Sequence, residues 1–148
     1  MKTLLVALIT TFIATAFASA AESIDRAKKL FAEYTTLAKN FDPDLAALYS
    51  DKAKIENTRV YPDGRKQALK LDPKEYKSLL RKVMPLAKAR GDTSTYSEVN
   101  YLEAAPNVTI TANRFSTLKK YQSPVTIMVG PDTDGEWRIL EEKSESRP

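Results

Sequence analysis

The last third of the chain is divided by turn signals into four segments rich in β-branched and aromatic residues, and this division limits the possible fold most strongly. The turn signals are Pro106-Asn107, Gln122-Ser123-Pro124 and Asp132-Thr133-Asp134-Gly135. The segments between them, roughly residues 93–104, 108–120, 125–129 and 136–144, are predicted to be strands. Because their connections are short, consecutive strands are expected to pair antiparallel.

The second of these strands contains an irregularity in its pattern. It alternates through Val108, Ile110 and Ala112 and then places Arg114 on the same face. We interpret this pattern as a β-bulge near Asn113, and we expect it to bend the strand without contributing chemistry.

Helices are predicted before this sheet region. Apolar residues recur at spacings of three and four over residues 24–41, which is typical of a helix with one buried face, and Ser23 can cap its start. Asp42-Pro43 provides a cap and a first-turn proline for a short second helix.

The middle of the chain predicts a hairpin followed by a third helix. Residues 53–61 alternate as a strand, Pro62-Asp63-Gly64 is a turn signal, and residues 66–71 can pair back. Asp72-Pro73 with Glu75 marks a strong helix start, and Pro85 should kink or end that helix. Together the elements predict an α+β domain, with three N-terminal helices packed on a curved antiparallel sheet.

The two ends of the chain are predicted to differ from this domain. Lys2 precedes an apolar run that ends in the small-residue site Ala18-Ser19-Ala20, which indicates a signal peptide over residues 1–20 and a mature domain over 21–148. No Cys follows that site, so we expect a soluble periplasmic or secreted protein without stable membrane insertion. The polar end is expected to fray after about Ser144.

Composition excludes several kinds of chemistry. The chain of 148 residues has neither Cys nor His, which excludes Ser-His-Asp and Cys-His nucleophiles and nearly every zinc, copper, haem or iron-sulfur site. We therefore expect no cofactor and no metal. The net charge of +4 is mild, and the basic face of the third helix is interpreted as solvated, so nucleic acid is not an expected partner.

Three segments carry a resemblance to a known family. They are Leu45-Ala46-Ala47-Leu48-Tyr49-Ser50-Asp51-Lys52-Ala53, Ile55-Glu56-Asn57 and Asp134-Gly135-Glu136-Trp137-Arg138-Ile139-Leu140. In this order they resemble the nuclear transport factor 2-like superfamily, in particular its SnoaL-like and ketosteroid-isomerase-like bacterial members. The resemblance implies a cone-shaped half barrel with a pocket between the helices and the concave sheet face, and frequently a homodimer across the sheet.

The resemblance also implies roles for two residues. Asn57 matches the position where the isomerase-like members have an aspartate general base, and an amide cannot accept that proton. Tyr34 lies near the place of a tyrosine that donates to an oxyanion in those enzymes. Without the base, the activity of the isomerases is not carried over to this chain.

The alternation of the last strand adds further candidates. Trp137, Ile139, Glu141 and Lys143 share a face, and the apolar members indicate that this face is turned to the helices. Glu141 would then point into the cone as a ligand-orienting or proton-accepting carboxylate. Alternatively, it lies at the open rim, or it pairs with Lys143 or Arg59.

These observations give three functional hypotheses. Candidate ligand-binding residues are Tyr34, Asn57, Arg59, Tyr101, Trp137 and Glu141. The leading hypothesis is an exported module that binds a small apolar ligand or a partner through the cone, with no catalytic set. The alternatives are a cofactor-free isomerase, lyase or hydrolase that uses Glu141 with Tyr and Asn partners, and a structural dimeric protein of the cell envelope.

Overall fold

The computed structural model describes residues 4–147, with side chains from residue 20 onward. In chain order the elements are α1 (Leu4–Asn40), a 3-10 helix (Pro43–Leu48), β1 (Tyr49–Val60), β2 (Lys66–Leu71), α2 (Pro73–Arg90), β3 (Ser94–Ala104), β4 (Asn107–Ser116), β5 (Tyr121–Pro131) and β6 (Trp137–Ser146). The predicted signal peptide lies almost wholly outside the residues with described side chains, so its cleavage stays a prediction.

Helix α1 packs one apolar stripe against the sheet. The predicted spacing is confirmed by four buried side chains, Ala27, Leu30, Phe31 and Tyr34. The helix begins at Leu4, so Ser23 lies inside it instead of capping it. The reason is that the Ala20-Ala21-Glu22 segment consists of residues with high helix propensity, which continue the helix toward the N-terminus.

A sharp corner follows α1. Phe41 adopts a left-handed φ of 56°, and the amide of Asp42 donates to the carbonyl of Leu37 at 2.9 Å, which ends the helix. The Asp42 carboxylate then accepts a hydrogen bond from the amide of Asp44 at 2.9 Å and caps the 3-10 helix, as the sequence predicts.

Helix α2 has the predicted start and a longer course than predicted. The Asp72 carboxylate accepts hydrogen bonds from the amides of Lys74 and Glu75 at 2.9 and 3.0 Å. Pro85 does not end the helix, which continues to Arg90. Pro85 lies on the exposed side of α2, where water can bond the carbonyl that a proline leaves without its helical donor.

The six strands form one sheet in the order β2-β1-β6-β5-β4-β3. Pairs of strands that are consecutive in sequence are antiparallel, as predicted. Strands β1 and β6 pair parallel, which brings the first and the last strand of the sheet side by side. The curved, unclosed sheet with helices against it confirms the predicted α+β fold.

The irregularity predicted in β4 lies in its partner strand. Strand β4 pairs with β5 in unbroken register through Asn113, so the bulge predicted there is wrong. The extra residue is in β3, where the register shifts between Ser97 and Asn100 and Glu98 has a φ of 52°. Asn113 stabilises this bulge, since its side-chain amide donates to the Glu98 carboxylate at 2.6 Å.

A second bulge, in β6, changes which side chains face the helices. Ile139 pairs with Val129 and Glu141 pairs with Met128, so Leu140 is an extra residue with no partner of its own in β5. Two side chains three positions apart, Ile139 and Glu142, are consequently both buried. A regular strand would bury residues two positions apart.

The end of β6 is longer than the sequence predicts. It continues past Ser144 to Ser146, whose hydroxyl donates to the Asn57 side-chain oxygen at 2.7 Å. The amide of Arg147 donates to the Tyr121 hydroxyl at 3.2 Å. Contacts with β1 and β5 therefore hold the segment that was expected to fray.

Candidate functional site

A cavity of about 370 Å³ lies between the two α-helices and the concave face of the sheet. Its volume is within the range usual for small-molecule pockets. Most of its wall is apolar and comes from the helices, the corner after α1 and β2: Ala38, Phe41, Leu45, Leu69, Leu71, Leu79, Leu80, Val83, Met84 and Ala87. We call this space the cone cavity.

The register of the strands arranges the inward side chains in rows across the sheet. The rim row contains Arg59 paired with Ser146 and Arg114 paired with Ser123. The next row contains Asn57, Ser144, Val125 and Ala112, and the row below it contains Ile55, Glu142, Ile127 and Ile110. Polarity therefore decreases from the rim inward, and Glu142 is a single carboxyl group in an otherwise apolar row.

Glu142 is the central polar group of the cone cavity. Its side chain is buried, with 4% of the residue exposed, and one carboxyl oxygen accepts a short hydrogen bond from the hydroxyl of Tyr49. The other carboxyl oxygen accepts no hydrogen bond within the described residues, yet it is not a fully enclosed, unsatisfied atom. It therefore borders the cavity and is free to meet a ligand.

Burial dominates the protonation of this group. Burial raises the pKa of Glu142 above its ordinary value, and the Tyr49 hydrogen bond and the charge of Arg114 oppose that shift only in part. Burial likewise raises the pKa of Tyr34, Tyr49 and Tyr76, so these hydroxyls stay protonated at neutral pH. The cavity thus combines a carboxyl group with neutral hydroxyl donors.

Aromatic rings surround the carboxyl group. Five line the cavity: Tyr34, Phe41, Tyr49, Tyr76 and Tyr96. Tyr49 and Tyr76 pack edge to face with centroids 5.3 Å apart, and Tyr34 and Tyr96 do so at 6.0 Å. Since these rings come from α1, β1, α2 and β3, the tertiary fold assembles them.

Asn57 lies in the cavity but is already hydrogen-bonded. Its amide nitrogen donates to the Ser144 hydroxyl at 3.0 Å, and its oxygen accepts from the Ser146 hydroxyl at 2.7 Å. The residue at the position of the isomerase base therefore joins β1 to β6. The parallel pairing of these strands explains the contact, because it places Asn57 opposite Ser144.

Two arginines lie at the rim. Arg114 donates to the carbonyl of Glu145 at 2.7 Å and lines the cavity. Arg59 also lines it and is exposed. Ser146 of the rim row lies four positions after Glu142 in β6, so the backbones of the two rows are about 13 Å apart along the strand.

The predicted inward direction of Glu141 is wrong. Its carboxylate lies on the outer face of the sheet, 2.8 Å from the ammonium group of Lys143, and only Glu142 of the two lines the cone cavity. The physical cause is the bulge at Leu140, which shifts the alternation by one residue beyond Ile139. The pairing with Lys143 considered in the sequence analysis is confirmed.

Two further candidates do not line the cone cavity. Tyr101 packs edge to face on Phe31 at 6.4 Å, beneath the ammonium group of Lys28. Trp137 lies in a separate surface groove under the guanidinium of Arg26, 5.9 Å from the ring centre. Of the six predicted site residues, the structure therefore brings together only Tyr34, Asn57 and Arg59.

Sequence reasoning missed Glu142 and Arg114 as site residues. Arg114 was available from the alternation of β4, which the expected bulge led us to discount. For Glu142 the available signal was the adjacent apolar pair Ile139-Leu140, since one of two neighbouring apolar residues in a half-buried strand must depart from the alternation.

Within the described part of the chain, no group of three or more side chains of metal-ligating type is placed to hold a metal ion. Nor does any helix among those residues combine the length and the apolar character needed to cross a membrane.

Comparison with known structures identifies the fold. An NTF2-like protein of unknown function from Pseudomonas putida superposes with a TM-score of 0.64 at 11% identity, covering 88% of this chain and 87% of that chain. An NTF2-like protein with a cystatin-like fold from Novosphingobium aromaticivorans gives 0.60 at 14%, covering 98% and 91%. A candidate ketosteroid isomerase from Shewanella frigidimarina gives 0.58 at 14%, covering 80% and 94%.

The chain therefore has the nuclear transport factor 2-like fold, which confirms the resemblance stated from the sequence. No protein-family model and no curated protein matches the sequence. At these identities the shared fold says nothing about the reaction, so the function has to be argued from the residues of the cone cavity.

Proposed function

We propose that this protein is a small-molecule-binding module whose ligand occupies the cone cavity. The observation that carries the proposal is the free carboxyl oxygen of Glu142 in the apolar inner row of a cavity whose helical wall is mostly apolar. A buried polar group is costly unless it finds a partner, and a ligand can supply one. The apolar wall then binds the body of the ligand while Glu142 fixes its orientation.

Binding can be tested with small probes and a variant that fills the cavity. Toluene, cyclohexanone and benzyl alcohol are observed by saturation-transfer NMR with the wild-type protein. Val83→Phe places a larger side chain on the cavity wall and should abolish the signals, whereas Leu86→Phe on the exposed side of the same helix should preserve them. Absence of all signals from wild type, or equal signals from both variants, would contradict the proposal.

Proton-transfer catalysis is the second candidate, and one observation favours it. Glu142, rather than Glu141, is a buried carboxyl group of raised pKa close to protonated tyrosine hydroxyls, an arrangement suited to moving a proton next to a carbonyl. In D₂O the protein should accelerate deuterium exchange at the α-carbons of cyclohexanone. Glu142→Gln should remove the acceleration and Glu141→Gln should retain it. If the wild-type protein exchanges deuterium no faster than buffer does, catalysis is contradicted and only the binding proposal stands.

Export and dimer formation also remain proposals. The small-residue site at Ala18-Ser19-Ala20 supports cleavage after Ala20 and a periplasmic or secreted product. The intact mass of the exported protein should correspond to a chain that begins at Ala21, and membrane-retained protein with residues 1–20 would contradict this. A homodimer predicts twice the chain mass by light scattering at micromolar concentration.

A further inference from the structure

We infer that the ligand of the cone cavity is an organic cation, an ammonium group attached to a short apolar body, with its positive charge held between Glu142 and the tyrosine rings. This inference rests on the proposed function and specifies its ligand class. It follows from three observations on the cavity: a carboxyl group without an ion pair, a set of aromatic rings that line the same cavity, and the hydrogen bonds that occupy the nearby guanidinium group of Arg114.

The carboxyl group of Glu142 lacks an ion-pair partner. It takes part in none of the ion pairs formed among the described residues, and its hydrogen bond from Tyr49 is uncharged. A buried carboxylate without a cation is unfavourable, whereas the charge of a carboxylate that contacts a ligand ammonium group is balanced by that group. The free oxygen on the cavity is the atom that such a group would contact.

The rings around Glu142 suit the same charge. The face of an aromatic ring attracts a cation within about 6 Å of its centre, and cages of several rings are a general solution for binding ammonium groups. Four tyrosines and Phe41 border the cavity that Glu142 lines. An anionic ligand would instead meet the carboxyl group of Glu142.

The charged groups near the cavity are distributed along its depth. Arg114 from β4 and Arg59 from β1 belong to the rim row. The shorter hydrogen bond from the guanidinium group of Arg114 goes to the carbonyl of Glu145. Asp92, which follows α2, also lines the cavity. The charge of Arg114 lowers the pKa of Glu142, yet its guanidinium group bonds the Glu145 carbonyl and the Ser123 hydroxyl instead. Among the described residues, therefore, no cation forms an ion pair with Glu142.

Three probes with one ring and different charges test the inference. Benzylamine is a cation at neutral pH, benzyl alcohol is neutral and benzoate is an anion, and each is titrated into the protein by isothermal calorimetry. We expect benzylamine to bind at least tenfold more tightly than benzyl alcohol, and benzoate to bind more weakly than either. Equal affinities for benzylamine and benzyl alcohol, or preference for benzoate, would overturn the inference.

Variants of the two neighbouring glutamates locate the effect. Glu142→Gln keeps the shape and an oxygen acceptor but removes the charge, so benzylamine binding should weaken at least tenfold, and by a much larger factor than benzyl alcohol binding. Glu141→Gln removes a charge one residue away on the outer face and should change neither. Circular dichroism of both variants checks that the fold is retained, and equal loss of both probes in folded Glu142→Gln would indicate a merely structural role.

The outcomes separate this inference from the proposed function. If benzyl alcohol binds in the cone cavity and benzylamine binds no better, the module remains a small-molecule binder and the cation inference fails. If no probe binds and Val83→Phe has no effect on any titration, the proposed function itself fails.

Discussion

Glu141 and Glu142 are neighbours in the chain, and the fold gives them opposite environments. Glu141 lies on the outer face of the sheet beside the ammonium group of Lys143, at 2.8 Å, where water screens both charges. Glu142 lies in the cone cavity with 4% of its surface exposed and one hydrogen bond from Tyr49. The same side chain is therefore a half-buried member of an ion pair at one position and a costly buried acid at the next.

A single extra residue decides which of the two neighbouring glutamates lines the cone cavity. Leu140 has no partner of its own in β5, and it reverses the direction of every side chain that follows it in β6. Without this bulge the inward row would continue from Ile139 to Glu141, as the sequence analysis assumed. Four measurements test whether the inner and outer faces of β6 differ in this way.

The largest expected effect is on the inner face. Ile139 is fully buried, so Ile139→Ala removes apolar contacts and leaves a cavity, and the free energy of unfolding should fall by about 2–5 kcal/mol. The control is Glu141→Ala on the outer face, with an expected change of about 0.5 kcal/mol or less. Urea denaturation measures both, and similar losses would contradict the assignment of faces.

A smaller effect is expected from the hydrogen bond to Glu142. Tyr49→Phe keeps the ring but removes the hydroxyl, which leaves the buried carboxyl group without its only donor among the described residues. The loss should be about 1–3 kcal/mol. Tyr61→Phe is the matched control, because the hydroxyl of Tyr61 donates to the exposed Gln67 at 3.0 Å, where water can replace it.

The third-largest effect is expected in the pH dependence of the free energy of unfolding, to which Glu142 contributes. Its folded pKa lies above the unfolded value near 4.5, so between those values the folded state binds more protons and the free energy of unfolding falls as pH rises. The pKa values of Asp132 and Asp134 are lowered, so these groups make the free energy of unfolding rise with pH, and they do so below about pH 3.8. Glu142→Gln should therefore flatten the decline above pH 4.5, whereas Glu141→Gln should leave it intact.

The smallest effect is expected from the outer ion pair. The hydrogen bond and charge of Glu141 raise the pKa of Lys143 above its ordinary value. In Glu141→Gln the pKa of Lys143 should return toward 10.5, with little change in the denaturation midpoint, because the pair is partly exposed and water screens its charges. NMR titration of the lysine side chains measures the shift. An unchanged pKa of Lys143 would mean that Glu141 is not its partner.

Local sequence signals predicted most of the fold. The caps at Asp42 and Asp72, the apolar spacing of α1 and most of the turn signals predicted the elements and their order, because these features act within a few residues. The turn predicted at Gln122-Ser123-Pro124 is wrong: this segment lies inside β5, and the turn is at residues 117–120. The continuation of α2 past Pro85 was not predicted, since it depends on whether the proline faces water. The fraying expected after Ser144 failed because β1 and β5 hold that end.

The candidate site was predicted in part. Tyr34, Asn57 and Arg59 line the cone cavity, since the alternation of β1 and the spacing of α1 are regular where these residues occur. Tyr101 and Trp137 lie outside it, although both pack near α1. Asn57 illustrates the limit of the resemblance: its position is in the cavity, and its hydrogen bonds to two serines depend on a parallel pairing that the sequence analysis did not anticipate.

The types and the order of most elements follow from the sequence alone, because helix propensity and capping act within a few residues. The composition alone likewise excludes thiol and imidazole chemistry, since the chain has neither Cys nor His. Only the tertiary structure decided which carboxyl group entered the cavity. That choice depends on pairing between β5 and β6, where Leu140 finds no partner and Glu142 turns inward. Register is a relation between strands distant in sequence, and a slip of one residue exchanges the two faces of a strand.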